Sequence, residues 1–482
     1  MESIQIDYPM SLQVIREADW EGDLELVVAP AEQEKGLQQP GTKTGELLLV
    51  ETAQRRHRLL VSLGPPDKLS ADALRHAGGA AAKWLLKRGV KTAAVQTSPL
   101  LNLEIETALE AFCEGLYLGA YHFERHKSKK EVESPVQVYL LAEGRAESLD
   151  LPVRRVSAVA AAVYLARDLA HEPPNVVNPA SLAERAQLLA ERDGLSCTVL
   201  GETQLREMGA GAILAVGLGS RTPSQMIILE YPGQPGHEGE APVILVGKAI
   251  TFDTGGYSIK DRTGMVGMKY DKSGGAAVFG IMQAVAALQL PTPVVGIVAA
   301  AENMISAEAY RPNDIIRSLS GKTIEIISTD AEGRLVLADA LSYACSNYRP
   351  RAVIDLATLT GGIVVALGSV RAGLMSNSDP LAEALFSAGE RTHERLWRLP
   401  LDEDYFELIK GDDSDIKNSS GIRQAHPIVG GIFLKQFVPD EVPWAHLDIA
   451  GPATTDKDLP YCPKGATGFG VRLVLDYLQR LG

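Results

Sequence analysis

Cysteine is scarce in this chain, four residues in 482. Cys113, Cys197, Cys345 and Cys462 lie far apart with no C-x-x-C spacing. That argues against a disulfide framework and predicts buried free thiols in a reducing compartment. The nine histidines are scattered without H-E-x-x-H spacing, so the usual helix-borne zinc motif is missing. Positive charge is in deficit: 47 Lys and Arg against 61 Asp and Glu leave a net charge of −14. This disfavours a broad nucleic-acid footprint. The lysines between His126 and Glu133 are followed at once by acidic residues, and the segment reads as a solvated loop. No uninterrupted apolar run reaches membrane-spanning length. Val156 to Leu165 is too short and is bounded by Arg154, Arg155 and Arg167. The opening residues, Met1 to Asp7, lack a basic region followed by an apolar core, so a cytoplasmic protein without a membrane partner is expected.

Nucleotide and serine-hydrolase signatures are also missing. Gly321-Lys322-Thr323 has Ile316 where a phosphate loop needs its first glycine. Gly217-Leu218-Gly219 lacks the third glycine of a dinucleotide fingerprint. Ser258 has no G-x-S-x-G surroundings.

What the chain does have is carboxylates beside glycines. In Ser328-Thr329-Asp330-Ala331-Glu332-Gly333-Arg334-Leu335, two acids stand at i and i+2 directly after a β-branched run, Thr323 to Ile327. Extended backbone would point both side chains the same way. Two buried carboxylates facing each other repel, and one takes up a proton unless a cation sits between them. Upstream, the apolar run Val243 to Val246 leads through Lys248 and Asp253 into the glycine-rich bend Gly255-Gly256, then Lys260. Asp271 stands where the apolar helical run Ala276 to Leu290 begins. Strand ends of this kind are where α/β proteins collect catalytic groups.

At 482 residues the chain exceeds an ordinary single domain. Residues 1–150 alternate short apolar runs (Leu24 to Val28, Glu46 to Val50, Leu59 to Leu63, Ala93 to Gln96, Val136 to Leu141) with helical patterns (Ser70 to Lys87, Glu104 to Leu118). That predicts an α/β domain with a largely parallel sheet. A helix from Val153 to Ala170 should bridge residues 151–175 and stop at Pro173-Pro174. Residues 176–482 alternate again, predicting a larger catalytic domain with a mixed sheet flanked by helices. Its strands are expected at Met226 to Glu230, Val243 to Val246, Val294 to Ala299, Thr323 to Ile327, Ala352 to Leu356 and Trp444 to Ile449.

The motifs Ser328 to Leu335, Lys248 to Lys260 and Met268 to Gly275 resemble those of the leucyl aminopeptidase (cytosol aminopeptidase) family. That family shows N-T-D-A-E-G-R-L, K-G-I-T-F-D-[ST]-G-G-x-S-I-K and M-K-x-D-M-x-G-A-A, in this order. Tyr257 is similar to the branch called peptidase B. The resemblance implies a two-metal enzyme that removes N-terminal residues, leucine among them, from short peptides. It implies two divalent cations, Mn²⁺ or Zn²⁺, held by Lys248, Asp253, Asp271, Asp330 and Glu332. Such a hard donor set is compatible with Mn²⁺, Mg²⁺, Co²⁺ or Zn²⁺, with the lysine ligating as a neutral amine. By the same resemblance Lys260 stabilises oxyanion charge and Arg334 holds bicarbonate in a bidentate fork. Met268, Thr358, Leu359 and Gly361 would bind substrate, and the assembly would be a homohexamer. His446 and Asp448 would support the fold rather than ligate metal. Ala249, Asp261, Val266, Lys272 and Ser328 depart from the family pattern. Lys272 would compete with metal beside Asp271 unless it points away, and Ala249 would strain the loop if the family glycine uses positive φ. The alternatives are a DNA-binding regulator with a vestigial peptidase site, which a gel shift would reveal, and a catalytically dead scaffold.

Overall fold

The computed structural model describes residues 9–29, 41, 43–51, 57–104, 107–129, 135–142, 146–237 and 239–481. Two compact units emerge. One runs up to Tyr164 and takes in Thr455–Gly465; the other comprises Leu165–Thr454 and Ala466–Gly482. The division therefore falls inside a helix, Ala146–His171. Residues 455–465, expected in the catalytic domain, pack with the first unit. The helix also runs through Pro152 instead of starting after it, and it ends before Pro173-Pro174, which cannot continue it.

The first unit holds strands β1 (Met10–Arg16), β2 (Leu24–Ala29), β3 (Leu47–Glu51), β4 (His57–Ser62), β5 (Thr92–Gln96) and β6 (Val136–Ala142). They form one sheet in the order β1-β6-β5-β2-β4-β3. Pairing is parallel except for β3 against β4. The expected parallel α/β unit is present, with one strand more than expected, β1. Its helices Ala71–Lys87 and Ala108–Ala120 bury Leu74, Ala77, Ala81, Leu85, Phe112 and Leu116. The first is capped by Ser70, whose side chain accepts from the Ala73 amide, as a helix N-terminus requires.

In the second unit β7 (Ser196–Leu200), β8 (Gln225–Tyr231), β9 (Val243–Asp253) and β10 (Val294–Asn303) are followed by two short strands, β11 (Ile315–Arg317) and β12 (Thr323–Glu325). Then come β13 (Ala352–Ala357), β14 (Ala372–Ser376), β15 (Leu396–Arg398), β16 (Ile416–Lys417) and β17 (Trp444–Asp448). The large sheet has the order β15-β14-β17-β13-β9-β10-β8-β7. Its centre, β17-β13-β9-β10, is parallel, and β14, β8 and β7 join antiparallel. A parallel centre covered on both faces explains its unbroken apolar runs. Alternation along β9 puts Ile244, Val246 and Ile250 into the core shared with the helix Gly333–Asn347. The opposite face meets the helix Ser273–Ala287, where a Cβ on Gly274 would lie 2.0 Å from the Leu356 carbonyl oxygen. That contact lets the helix start directly over the strand ends.

All four cysteines are free, but only Cys113 is buried; Cys197, Cys345 and Cys462 are half-buried. Among the described residues no helix is long and apolar enough to cross a membrane. Residues 130–133 of the expected His126–Glu133 loop lie outside the described residues, as do Met1 to Asp7.

Candidate metal centre

The C-terminal ends of β9, β10 and β13 bring the chemistry-bearing residues together. Strand β9 continues past Val246 to Asp253, so Lys248 stands within the strand, 2% exposed, and not on the glycine-rich bend. Its Nζ donates to Asp271 Oδ1 at 2.8 Å, Glu332 Oε1 at 2.9 Å and the Thr358 carbonyl at 2.9 Å. Lys260 Nζ, reached around the bend, lies 2.8 Å from Asp253 Oδ2 and 2.5 Å from Asp330 Oδ1. Two ammonium groups are thus interleaved with four carboxylates drawn from three chain segments. Oxygens of Asp253, Asp330 and Glu332 lie within 4.8 Å of one another.

The route to that convergence differs from the expected one. Asp330 sits in a tight turn and Glu332 has helical backbone (φ −76°, ψ −36°) at the start of the helix Gly333–Asn347. Strand β12 stops at Glu325. The pair meets through a turn into a helix rather than through extended backbone. Gly333 leaves room for the lysine, since a Cβ there would lie 2.5 Å from Lys248 Cε and the Lys248 side chain would have to shift.

Burial and like charge shape the electrostatics. Burial, then Asp253 and Asp271, push the Glu332 carboxyl up to about 8 against the pull of Lys248 and Lys260. Burial lifts Asp271 to about 6, and Asp330 is raised for the same reason. Burial alone would lower both lysines, but the carboxylates outweigh it and hold Lys248 and Lys260 above the ordinary ammonium range. Asp271 Oδ2 and Glu332 Oε2 are buried without a hydrogen-bond partner. Unpartnered buried carboxylate oxygens are costly. A cluster of four carboxylates against two cations, with two such orphans, fits hard divalent cations.

The remaining expected residues lie around this cluster. Met268 is half-buried on the 3₁₀ turn Met268–Lys272 that carries Asp271. Thr358 Oγ1 donates to Asp271 Oδ1 at 2.7 Å, and the Leu359 amide donates to Asp448 Oδ1 at 3.1 Å. Gly361 opens the helix Gly361–Leu367. Arg334 is buried, donates through its guanidinium to the Asn418 carbonyl at 2.6 Å and stacks over Phe433 at 5.9 Å. Burial lowers it to about 10, and its Nε has no partner. His446 is fully buried against Asp355 at 2.5 Å, while Asp448 accepts from Leu359, Thr360 and Ala450. Neither is among the partners of Lys248 or Lys260.

Sequence reasoning missed three supports. Asn303, paired in register with Asp253, donates from Nδ2 to Asp253 Oδ1 at 2.7 Å and to the Thr329 carbonyl at 3.0 Å. Asn418 accepts from Ile327 and Ser328 and donates to Ser328. Thr329 Oγ1 donates to the Gly255 carbonyl at 2.6 Å, locking the two acidic loops to each other. The signal for Asn303 was a polar side chain ending an apolar strand run.

Residues 164–475 match the Cytosol aminopeptidase family, catalytic domain, and residues 36–130 match the Cytosol aminopeptidase family, N-terminal domain. The chain belongs to the cytosol aminopeptidase family. It is 46% identical over 447 residues to a probable cytosol aminopeptidase of Syntrophotalea carbinolica, covering 91% of this chain and 89% of the relative. It is 48% identical over 430 residues to one of Geotalea uraniireducens, covering 88% and 85%. Among solved structures, the bottromycin maturation enzyme BotP in complex with Mn superposes with a TM-score of 0.87 at 33% identity, over 95% of this chain and 99% of that one. Membership makes the chain a metal-dependent aminopeptidase, a metallo-exopeptidase.

In this chain the five departures from the family pattern have particular settings. Ala249 continues β9 and does not take positive φ, so the expected strain is absent. Asp261 caps the short helix Arg262–Met265, and Val266 is exposed. Ser328 is held by Asn418. Lys272 points away from Asp271 into backbone carbonyls.

Proposed function

We propose that this enzyme removes N-terminal residues, leucine among them, from short peptides with two divalent cations, Mn²⁺ or Zn²⁺. Lys248, Asp253, Asp271, Asp330 and Glu332 would hold them. The observation that carries this reading is the nest of four carboxylates, three of them buried and Asp330 at its exposed rim, around two lysine ammonium groups, with Asp271 Oδ2 and Glu332 Oε2 left unpartnered. When bound, the cations supply Lewis-acid polarisation of the scissile carbonyl and a water of lowered pKa.

The protein's own groups do the rest. Lys260 is 18% exposed at its side chain, the most accessible cation of the nest. Once the charge on Asp253 and Asp330 is neutralised otherwise, its Nζ can donate to the oxyanion that develops on the substrate. Arg334, with an unpartnered Nε, suits a planar anion such as bicarbonate, which would accept the proton of the attacking water. Thr358 and Leu359, held by Asp271 and Asp448, give the substrate backbone a rigid edge, with Gly361 and Met268 beside it. The Mn in the BotP relative supports manganese as one occupant. A homohexamer working in the cytoplasm would cover apolar side chains that this chain leaves exposed, such as Val365 at 90% and Val266 at 79%.

Metal-stripped protein should not hydrolyse a leucine arylamide, and added Mn²⁺ or Zn²⁺ should restore hydrolysis. Failure with each of Mn²⁺, Zn²⁺, Co²⁺ and Mg²⁺ would overturn the proposal.

A further inference from the structure

The turn that carries Asp271 reads Met268-Lys269-Tyr270-Asp271-Lys272 and is a 3₁₀ helix. Three residues per turn eclipse side chains at i and i+3. Lys269 and Lys272 therefore share one face, and Met268 and Asp271 share another. The lysine face meets the C-terminal end of the helix Ala146–His171. A helix end leaves its last carbonyls without intrahelical partners, and the negative end of the helix dipole gathers there. Pro173 and Pro174 follow and offer no amide hydrogen to satisfy them.

The two lysines do so instead. Lys272 Nζ donates to the Ala170 carbonyl at 3.3 Å, the Glu172 carbonyl at 2.9 Å and the Lys269 carbonyl at 2.5 Å. Lys269 Nζ donates to the carbonyl between them, that of His171, at 2.6 Å. Burial lowers Lys272 to about 7, and at 1% exposed its amine, with two donors when neutral and three when charged, has an acceptor for every one. His171 completes the contact. Its Nε2 accepts from the Ala466 amide at 3.1 Å, so in the neutral ring Nδ1 carries the proton and faces the Tyr270 hydroxyl at 3.3 Å. Three of the four residues 269–272 thus grip the helix end. The fourth, Asp271, faces Lys248 and Thr358.

We infer that Lys272, assisted by Lys269, is a positioning residue of the reaction: the pair clasps the carbonyls of Ala170, His171 and Glu172 and thereby holds Asp271 at the metal nest. The inference rests on the two-metal reading. It also makes a prediction opposite in sign to simple charge repulsion. A lysine that merely repelled cations beside Asp271 would, on removal, tighten metal binding. Loss of a clasp lets the turn wander and weakens it. Outer partners of ligands are typically worth roughly 10–100-fold in metal affinity.

The test is Mn²⁺ titration of metal-stripped protein at pH 8.5, with free Mn²⁺ read by electron paramagnetic resonance, for the wild type, Lys272→Met and Lys269→Met. The clasp predicts at least about tenfold weaker binding at one site for Lys272→Met, and a smaller weakening for Lys269→Met. A folded Lys272→Met protein that binds Mn²⁺ as the wild type does, or more tightly, overturns the clasp, even if its melting temperature falls. Should Lys272→Met not fold, the half-buried Lys269→Met decides by the same criterion: weaker binding supports the clasp, and unchanged or tighter binding overturns it. A wild type that binds no Mn²⁺ sinks the two-metal reading itself, a result distinguishable from failure of the clasp.

Discussion

Lys260 should have two effects of opposite sign, and Lys260→Met separates them. In the metal-free protein its Nζ neutralises Asp253 at 2.8 Å and Asp330 at 2.5 Å, so incoming cations must compete with it. A hydrogen bond to a charged group is worth about 1.5–3 kcal/mol net. The two contacts share one ammonium, and Asp330 is partly exposed, so their sum is discounted. A competition of about 2 kcal/mol corresponds to roughly 30-fold in affinity. Methionine keeps most of the side-chain volume and removes the charge. Mn²⁺ should therefore bind about 30-fold more tightly to the variant. The same substitution removes the donor aimed at the developing oxyanion, which typically costs about 10²–10³ in kcat. The assay pairs a Mn²⁺ titration followed by electron paramagnetic resonance with leucine arylamide hydrolysis at saturating metal. It is best run at pH 8.5, above the value of about 8 to which burial pushes Glu332. Weaker Mn²⁺ binding in the variant would show that Lys260 organises the ligands rather than competing with metal. An unchanged kcat would remove it from the oxyanion.

Two further outcomes follow from the same nest. Burial holds Glu332 near 8 and Asp271 near 6 in the folded metal-free protein, above their unfolded values, so the native state binds more protons across that window. The contribution of these two carboxyls to the stability of the metal-free protein should accordingly fall as pH rises from about 5 to 8, against the opposite contributions of His171, lowered to about 3, and Lys272, lowered to about 7. Thermal melts in chelator check this by difference: the melting temperature of the wild type relative to Glu332→Gln should fall across the window, and a difference that stays flat or climbs refutes it. Gly333→Ala would set a Cβ 2.6 Å from Lys248 Nζ while improving helix propensity by up to about 1 kcal/mol. Mn²⁺ affinity should drop at least about tenfold with little change in melting temperature, and wild-type affinity would show that Lys248 has room to move.

Much of the fold was legible because its physics is local. The apolar runs of β2, β4, β5, β6 and β13 carry their own boundaries to within a residue or two, since parallel strands buried on both faces need continuous apolar sequence. Elements whose reason lies elsewhere were missed. Strand β7 is a half-exposed edge strand with little apolar signal. The helix Gly211–Gly217 has two glycines among its seven residues, and its N-terminal amides are satisfied from afar. The Ala212 and Ile213 amides donate to Asp339, which sits on the helix Gly333–Asn347. Residues 455–465 gave no sign of belonging with the first unit, where Tyr461 bonds Asp72 and Lys83 bonds Asp458.

The site shows the same division between near and far causes. The acidic motifs could be read one by one, but the course of β9 could not. Gly247 and Lys248 look like a break after Val246, because a glycine and a charge are poor strand interior on local grounds. Both are explained by distant residues. A Cβ on Gly247 would meet Gly275 Cα at 2.6 Å, so the glycine marks where the helix Ser273–Ala287 crosses the strand. Lys248 tolerates full burial only because Asp271 and Glu332 lie within 2.9 Å. Lys272 is the mirror case. Beside Asp271 in sequence it reads as a rival to metal, yet the 3₁₀ turn sends it the other way, to a helix end about a hundred residues upstream. In each case the side chain's neighbours in space decide what its charge does, and those neighbours are set by the sheet order and by where two helices begin.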